Sequence, residues 1–212
     1  AAARMSKLPG PPESNELARL APARHVLRSG ALLWRIHFRG GRFPSRWNEL
    51  RCFGPLLTSR FDHHQAPLRI QARGILYAAE HIYTCFAEAF QRDRVIDTRR
   101  SEPHLVSFRL ARRVVLLDLR GRWITRSGAS MAIHSGPRDR AREWSRAIYD
   151  AYPGIDGIWY SSCMNKHNPA IAFYERAADA LPATPHTDRA LADGALTGLV
   201  KRAASELGYD VG

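Results

Sequence analysis

Long apolar runs are missing from this sequence of 212 residues. None approaches the roughly 20 consecutive apolar residues that a membrane-spanning helix needs. The N-terminal stretch AAARMSKLPGPPESNEL also lacks the hydrophobic region of a secretory signal peptide. We therefore predict a protein with no membrane association and a cytoplasmic location.

Cysteine is scarce, and its spacing argues against both disulfide bonds and a structural zinc site. The three cysteines, Cys52, Cys85 and Cys163, are odd in number and far apart, which disfavours a disulfide framework. His81 and His167 each lie four positions from a cysteine, but neither pair has the usual spacing of a structural zinc site. We therefore expect no metal site and no resident cofactor.

Lysine is also rare, although the chain carries a formal net charge of +12. The basic residues are almost all arginines, and they are spread along the chain rather than gathered in blocks. No zinc-finger spacing or ribonucleoprotein motif accompanies them. The charge favours an acidic partner, and direct nucleic-acid binding is not the expected main activity. A basic nucleic-acid-binding module stays open as an alternative.

The length suits one compact domain with an N-terminal arm. Residues 1–25 are rich in Pro, Ala and Arg, and we predict a flexible or loosely docked arm there. Residues 26–212 then form a single domain, and no internal repeat divides it.

Hydrophobic periodicity predicts an α+β fold, a curved and mostly antiparallel sheet flanked by helices. A long irregular segment is expected at 39–73. The predicted strands are 31–38, 74–79, 104–110, 114–119 and 154–162, and the predicted helices are 80–92, 137–152 and 186–208.

The helix predicted at 80–92 carries a carboxylate on the side away from its apolar stripe. Glu88 lies nearly opposite that stripe at 100° per residue. A solvated helix face is the ordinary interpretation of such a residue, so a functional role depends on the rest of the chain. The apolar stripe consists of Ile82, Tyr83, Phe86, Ala87 and Phe90.

Four segments, in order, resemble the RES-domain family, which is named for an Arg, a Glu and a Ser. They are LWRIH, LLTSRFDHH, GILYAAEHIYTCFAEAF and GIDGIWYSSCMN, and the resemblance runs from Leu33 to Phe173. It implies a bacterial toxin of a toxin–antitoxin pair that destroys NAD, with a fold similar to that of ADP-ribosylating toxins.

The resemblance assigns catalysis to Arg35, Glu88 and Ser162; Ser161, before the last, stands where many members carry Pro. Cleavage of the N-glycosidic bond of NAD develops positive charge on the ribose, as in glycoside hydrolysis. A carboxylate beside the sugar stabilises that charge, and one well-placed group contributes about 3–4 kcal/mol. Ser162 is expected to orient Glu88 or to bind the substrate carboxamide.

The same resemblance assigns substrate binding to Arg60 and Tyr77. An arginine fork suits a pyrophosphate, and a tyrosine ring suits stacking on nicotinamide. Asp62 departs from the family, in which Asn is more usual after RF. The adjacent His63 and His64 are predicted to be exposed in a loop.

The implied substrate is NAD, with inorganic phosphate as a possible co-substrate, and the sequence leaves the acceptor open. Water would make the protein a glycohydrolase and phosphate a phosphorylase, whereas a protein or nucleic acid would make it an ADP-ribosyltransferase. The implied partner is a cognate antitoxin, typically with a helix-turn-helix domain. An acidic segment of that antitoxin would suit the positive charge of this chain.

Overall fold

A nine-stranded sheet forms the centre of the molecule. The computed structural model describes residues 7–212, so the first six residues of the predicted arm lie outside it. The strands are β1 (Arg24–Leu27), β2 (Leu32–Phe38), β3 (Arg51–Gly54), β4 (Arg69–Ala79), β5 (Val95–Ile96), β6 (Pro103–Arg109), β7 (Val114–Asp118), β8 (Gly157–Ser161), β9 (Pro169–Tyr174), β10 (Thr187–Ala190) and β11 (Asp210–Val211).

The sheet has the order β1-β7-β8-β9-β4-β2-β6-β10, and β3 pairs with β4. Across residues 7–212, β7 and β8 are its one parallel pair, and the other pairings are antiparallel. Strands β5 and β11 form a separate parallel pair. The expected α+β fold with a curved, mostly antiparallel sheet is confirmed.

Five α-helices and three short 3-10 helices flank the strands of the described chain. None of these helices is long and apolar enough to cross a membrane. The α-helices are α1 (Ser14–Leu17), α2 (Ile82–Ala89), α3 (Trp123–Arg126), α4 (Arg138–Ala151) and α5 (Thr197–Leu207), and the 3-10 helices are Met131–Ile133, Glu175–Ala180 and Gly194–Leu196.

Successive apolar side chains of the central strand β4 contribute to a hydrophobic core on each face of the sheet. Ile75 belongs to the cluster that contains Trp144 and Ile148 of α4. Leu76 belongs to a second cluster, with Phe108 and Phe173. Successive side chains of a strand point to opposite faces, so one strand supplies both clusters.

A third cluster holds α2 in place. Phe86 is fully buried with Leu105 of β6 and with Val200 and Ala203 of α5. One side of α2 is thereby fixed against the sheet and α5, which leaves its other side to line a cavity.

Within the predicted arm, the residues from 7 onward contact the domain. Leu8 and Leu17 are each 2% exposed and belong to the core cluster beneath α4. The Trp144 indole donates a hydrogen bond of 2.9 Å to the Pro9 carbonyl. The Tyr152 hydroxyl donates one of 2.8 Å to the Leu17 carbonyl.

Two predicted segments differ from the structure. The segment 39–73 contains β3 and the first five residues of β4, so it is less irregular than expected. The predicted helix at 186–208 begins only at Thr197, because β10 occupies Thr187–Ala190 and pairs with β6. Pairing at a sheet edge overrides local helix preference there. Gly208 ends α5 with a φ of +66°.

The prediction that His63 and His64 are exposed is wrong, since both are fully buried. The ring of His64 hydrogen-bonds to the buried Asp62 carboxylate, and His63 Nε2 lies 3.3 Å from Glu175 Oε2. A buried polar ring is tolerated when such partners replace water.

Candidate active site

A cavity of about 330 Å³ opens beside β2, β4 and α2. Its wall includes four of the five residues singled out in the sequence, namely Arg35, Arg60, Tyr77 and Glu88. The fifth, Ser162, is fully buried behind the wall and donates a hydrogen bond to Glu88. The fold therefore brings together residues that are 127 positions apart along the chain, the separation of Arg35 and Ser162 (162 − 35).

The position of Glu88 follows from the direct connection between β4 and α2. Strand β4 ends at Ala79, and α2 begins at Ile82 after His81, whose ring accepts a hydrogen bond from the Tyr83 backbone N–H. Residues four apart share a helix face, so Thr84 and Glu88 both line the cavity.

The Glu88 carboxylate is held by two donors. Ser162 Oγ donates a hydrogen bond of 2.6 Å to Oε1, and Gln91 Nε2 donates one of 3.3 Å to Oε2. Burial raises the pKa of Glu88, although the Ser162 hydrogen bond and the charge of Arg60 oppose that rise. The site thus holds a desolvated acid whose ionised form the neighbouring groups favour.

Arg35 is a partly buried cation, and not all of its N–H groups are hydrogen-bonded. Its Nη1 donates a hydrogen bond of 2.8 Å to the Tyr77 carbonyl, because β2 and β4 are paired neighbours. Its buried Nε has no hydrogen-bond partner in the described part of the chain. Burial lowers the pKa of Arg35 to about 10, so the group is still charged at neutral pH.

Arg60 comes from the loop between β3 and β4. Its Nη1 donates a hydrogen bond of 2.7 Å to the Gly136 carbonyl, which ties the loop to the segment before α4. Burial lowers the pKa of Arg60, and the negative charge of Glu88 is among the groups that raise it. Arg60 and Glu88 therefore influence one another across the cavity.

Tyr77 is half-buried and packs partly into the core. Its ring lies against the cluster beneath α4, while the same residue lines the cavity. The hydroxyl is buried. Burial raises its pKa, so the phenol is neutral.

His134 and Arg138 are among the polar residues of the cavity wall that were not singled out in the sequence. His134 Nε2 donates a hydrogen bond of 2.9 Å to the Leu119 carbonyl, so Nδ1 of the neutral ring is an acceptor. That Nδ1 is buried and unpartnered among the described residues, and burial lowers the pKa of His134 to about 4.

Arg138 is exposed at the start of α4, where its Nη2 donates a hydrogen bond of 3.2 Å to Gln91 Oε1. Its charge contributes to lowering the pKa of Glu88. Neither His134 nor Arg138 belongs to a motif that the sequence makes visible. Only the folded cavity shows their position.

The arrangement suits an anionic small molecule. One acid and three guanidinium groups face a cavity whose volume lies at the lower end of the range for small-molecule sites. Fold and site together define an α+β protein whose cavity is lined mainly by positive charge. The chain belongs to the RES domain family, whose model matches residues 32–192.

A solved structure has a similar fold, the MbcT-MbcA toxin–antitoxin complex of M. tuberculosis. The TM-score is 0.55 at 11% sequence identity, and the match covers 91% of this chain and 97% of that chain. At this identity the likeness shows the fold. No curated protein matches the sequence.

Proposed function

We propose that this chain is the toxin of a toxin–antitoxin pair and that it depletes NAD by cleaving the bond between nicotinamide and ribose. One observation carries the proposal: Glu88, Arg35 and Arg60, distant in sequence, line the same cavity. Membership of the RES domain family supports it, as does the fold shared with a protein solved in a toxin–antitoxin complex.

The role proposed for Glu88, which lines the cavity, is to stabilise the ribose. When the N-glycosidic bond breaks, its electron pair goes to the pyridine nitrogen, and the neutral nicotinamide departs. Positive charge remains on the ribose, where a nearby carboxylate is worth about 3–4 kcal/mol. Ser162 favours the ionised form of Glu88 by donating to Oε1.

The arginines supply the complementary charge for the pyrophosphate. Arg35 takes part in no ion pair among the described residues, and it lines the cavity. Arg60 lies on the anchored loop, and Arg138 adds a third cation at the rim. The role proposed for the ring of Tyr77, which lines the cavity, is contact with the nicotinamide.

The molecule that accepts the ADP-ribosyl group determines the class of enzyme. Water adds to the ribose with loss of a proton and gives ADP-ribose, whereas inorganic phosphate gives a phosphorylated ADP-ribose. Incubation of the pure protein with NAD, with and without phosphate, followed by product analysis, separates these reactions.

We expect nicotinamide release with one of those two products. ADP-ribose attached to a protein or nucleic acid would instead identify a transferase. Unchanged NAD would overturn the proposal. If NAD is unchanged and DNA or RNA binds with a steep salt dependence, the nucleic-acid-binding alternative is the better account.

The partner that fits this function is an antitoxin that covers the cavity. The chain has a net charge of +12, so an acidic antitoxin segment, in a protein with a helix-turn-helix domain, is the expected complement. Co-expression with the neighbouring gene product should restore growth of cells that produce this chain. If no such protein rescues growth, the antitoxin part of the proposal fails while the NAD reaction stands.

A further inference from the structure

Three side chains of types that can bind metal ions lie together at one end of the sheet, on the adjacent strands β2, β6 and β10. They are His37, His104 and Asp188, and their ligand atoms all lie within 4.8 Å of one another. Across β2 and β6, His37 is the direct partner of His104. We propose that these residues bind a divalent transition-metal ion of the Zn²⁺ type.

The arrangement of His37 carries this inference. Its Nδ1 donates to the Ser45 carbonyl at 3.0 Å, so the neutral ring presents a lone pair at Nε2. The residue is only 2% exposed, and Nε2 has no hydrogen-bond partner within residues 7–212. Asp188 Oδ1 lies 3.8 Å from that Nε2. Two acceptor atoms thus face each other in a buried place, and a cation between them would satisfy both.

His104 and Asp188 complete the ligand set. His104 Nδ1 lies 2.8 Å from Asp188 Oδ1, so a metal ion would take the place of the proton between these atoms. The other carboxylate oxygen of Asp188 accepts a hydrogen bond from Arg39. Supporting contacts of this kind orient metal ligands, as the Ser45 carbonyl does for His37.

Two imidazoles and one carboxylate form a ligand set typical of zinc, with the fourth position left to water or another ligand. His37 and Asp188 also line an open groove along residues 44–49, which gives an ion a path from solvent. His37 additionally lines the candidate active-site cavity, so a bound ion would fix the strands at its wall. The ligands come from three separate strands, which is why cysteine–histidine spacing gave no sign of the site.

The test is a Zn²⁺ titration of the full chain by calorimetry, with metal analysis after gel filtration. The exposed Cys163 offers a competing thiol, so every protein carries Cys163→Ser. We expect one Zn²⁺ per chain, released protons, and a Co²⁺ spectrum of a four-coordinate site. Asp188→Asn and His104→Gln should each lower the affinity at least about tenfold.

One variant serves as the control. His167→Gln removes an exposed histidine elsewhere and should bind Zn²⁺ about as tightly as the parent protein. A cluster that is only hydrogen-bonded would bind no stoichiometric metal in any of these proteins.

A second measurement does not depend on the folding of the variants. In the parent protein, Zn²⁺ should shift the imidazole NMR signals of His37 and His104 and leave those of His167 unchanged. The proposal is overturned if no Zn²⁺ binds, if Asp188→Asn binds as well as the parent, or if the His37 and His104 signals do not move.

Discussion

Ser162 donates a hydrogen bond of 2.6 Å to the carboxylate of Glu88, although the two residues are 74 positions apart in the chain. Ser162 directly follows β8, and Glu88 lies near the end of α2. Because burial raises the pKa of Glu88 while this bond lowers it, Ser162 controls how far into the acidic range Glu88 stays ionised.

Ser162→Ala should therefore move the acidic limb of the pH–rate profile upward. A hydrogen bond to a charged group contributes about 1.5–3 kcal/mol, which corresponds to about one pKa unit or more. The rate of NAD consumption, measured between pH 4 and 9, gives the position of this acidic limb. Ser161→Ala is the matched control, because the Ser161 hydroxyl bonds to Arg120 and not to Glu88. Identical limbs in the parent and Ser162→Ala would show that Ser162 does not act through Glu88.

Arg35→Lys should weaken substrate binding while the positive charge remains. Lysine lacks the planar fork and cannot both donate to the Tyr77 carbonyl and reach a phosphate in the same way. We expect KM for NAD to rise about tenfold or more, which corresponds to about 1.4 kcal/mol of lost binding. The control is Arg109→Lys, at an exposed position on β6, where KM should not change. An unchanged KM in Arg35→Lys would show that the planar guanidinium of Arg35 is not needed for NAD binding.

His134 should make the protein sensitive to acid. Its folded-state pKa of about 4 lies below the ordinary value of 6.5, so its contribution to stability is present above pH 6.5 and is lost as the pH falls toward 4. A shift of that size corresponds to a loss of about 3 kcal/mol in the free energy of unfolding. In denaturant titrations, His134→Gln should lose less stability than the parent between pH 6.5 and 4. Equal losses in the two proteins would mean that His134 does not titrate in this way.

The elements that position the site were largely predictable from the sequence, because their apolar residues follow a clear period. The period of α2 places Glu88 away from the stripe that contains Phe86, and the structure has the same arrangement. β10 was not predictable, since its pairing with β6 depends on a strand some 80 residues away.

Some residues of the site could likewise be predicted from the sequence, and others could not. Arg35 and Glu88 stand in segments that resemble a family, and the cavity brings them together. His134 and Arg138 have no such context, and their place in the wall depends on how the segment before α4 packs. The burial of His63 depends on Glu175, more than a hundred residues further along. Contacts of that range leave no local pattern.

The most direct test of the central claim compares Glu88→Gln with Glu206→Gln, an exposed carboxylate on α5. The measurement is nicotinamide release from NAD at pH 7.5, together with the free energy of unfolding of each protein. Glu88→Gln should lose about 10²–10³-fold in rate. It should be at least as stable as the parent, because burial disfavours the ionised Glu88. Glu206→Gln should match the parent in both respects. Full nicotinamide release by a folded Glu88→Gln protein would contradict the account.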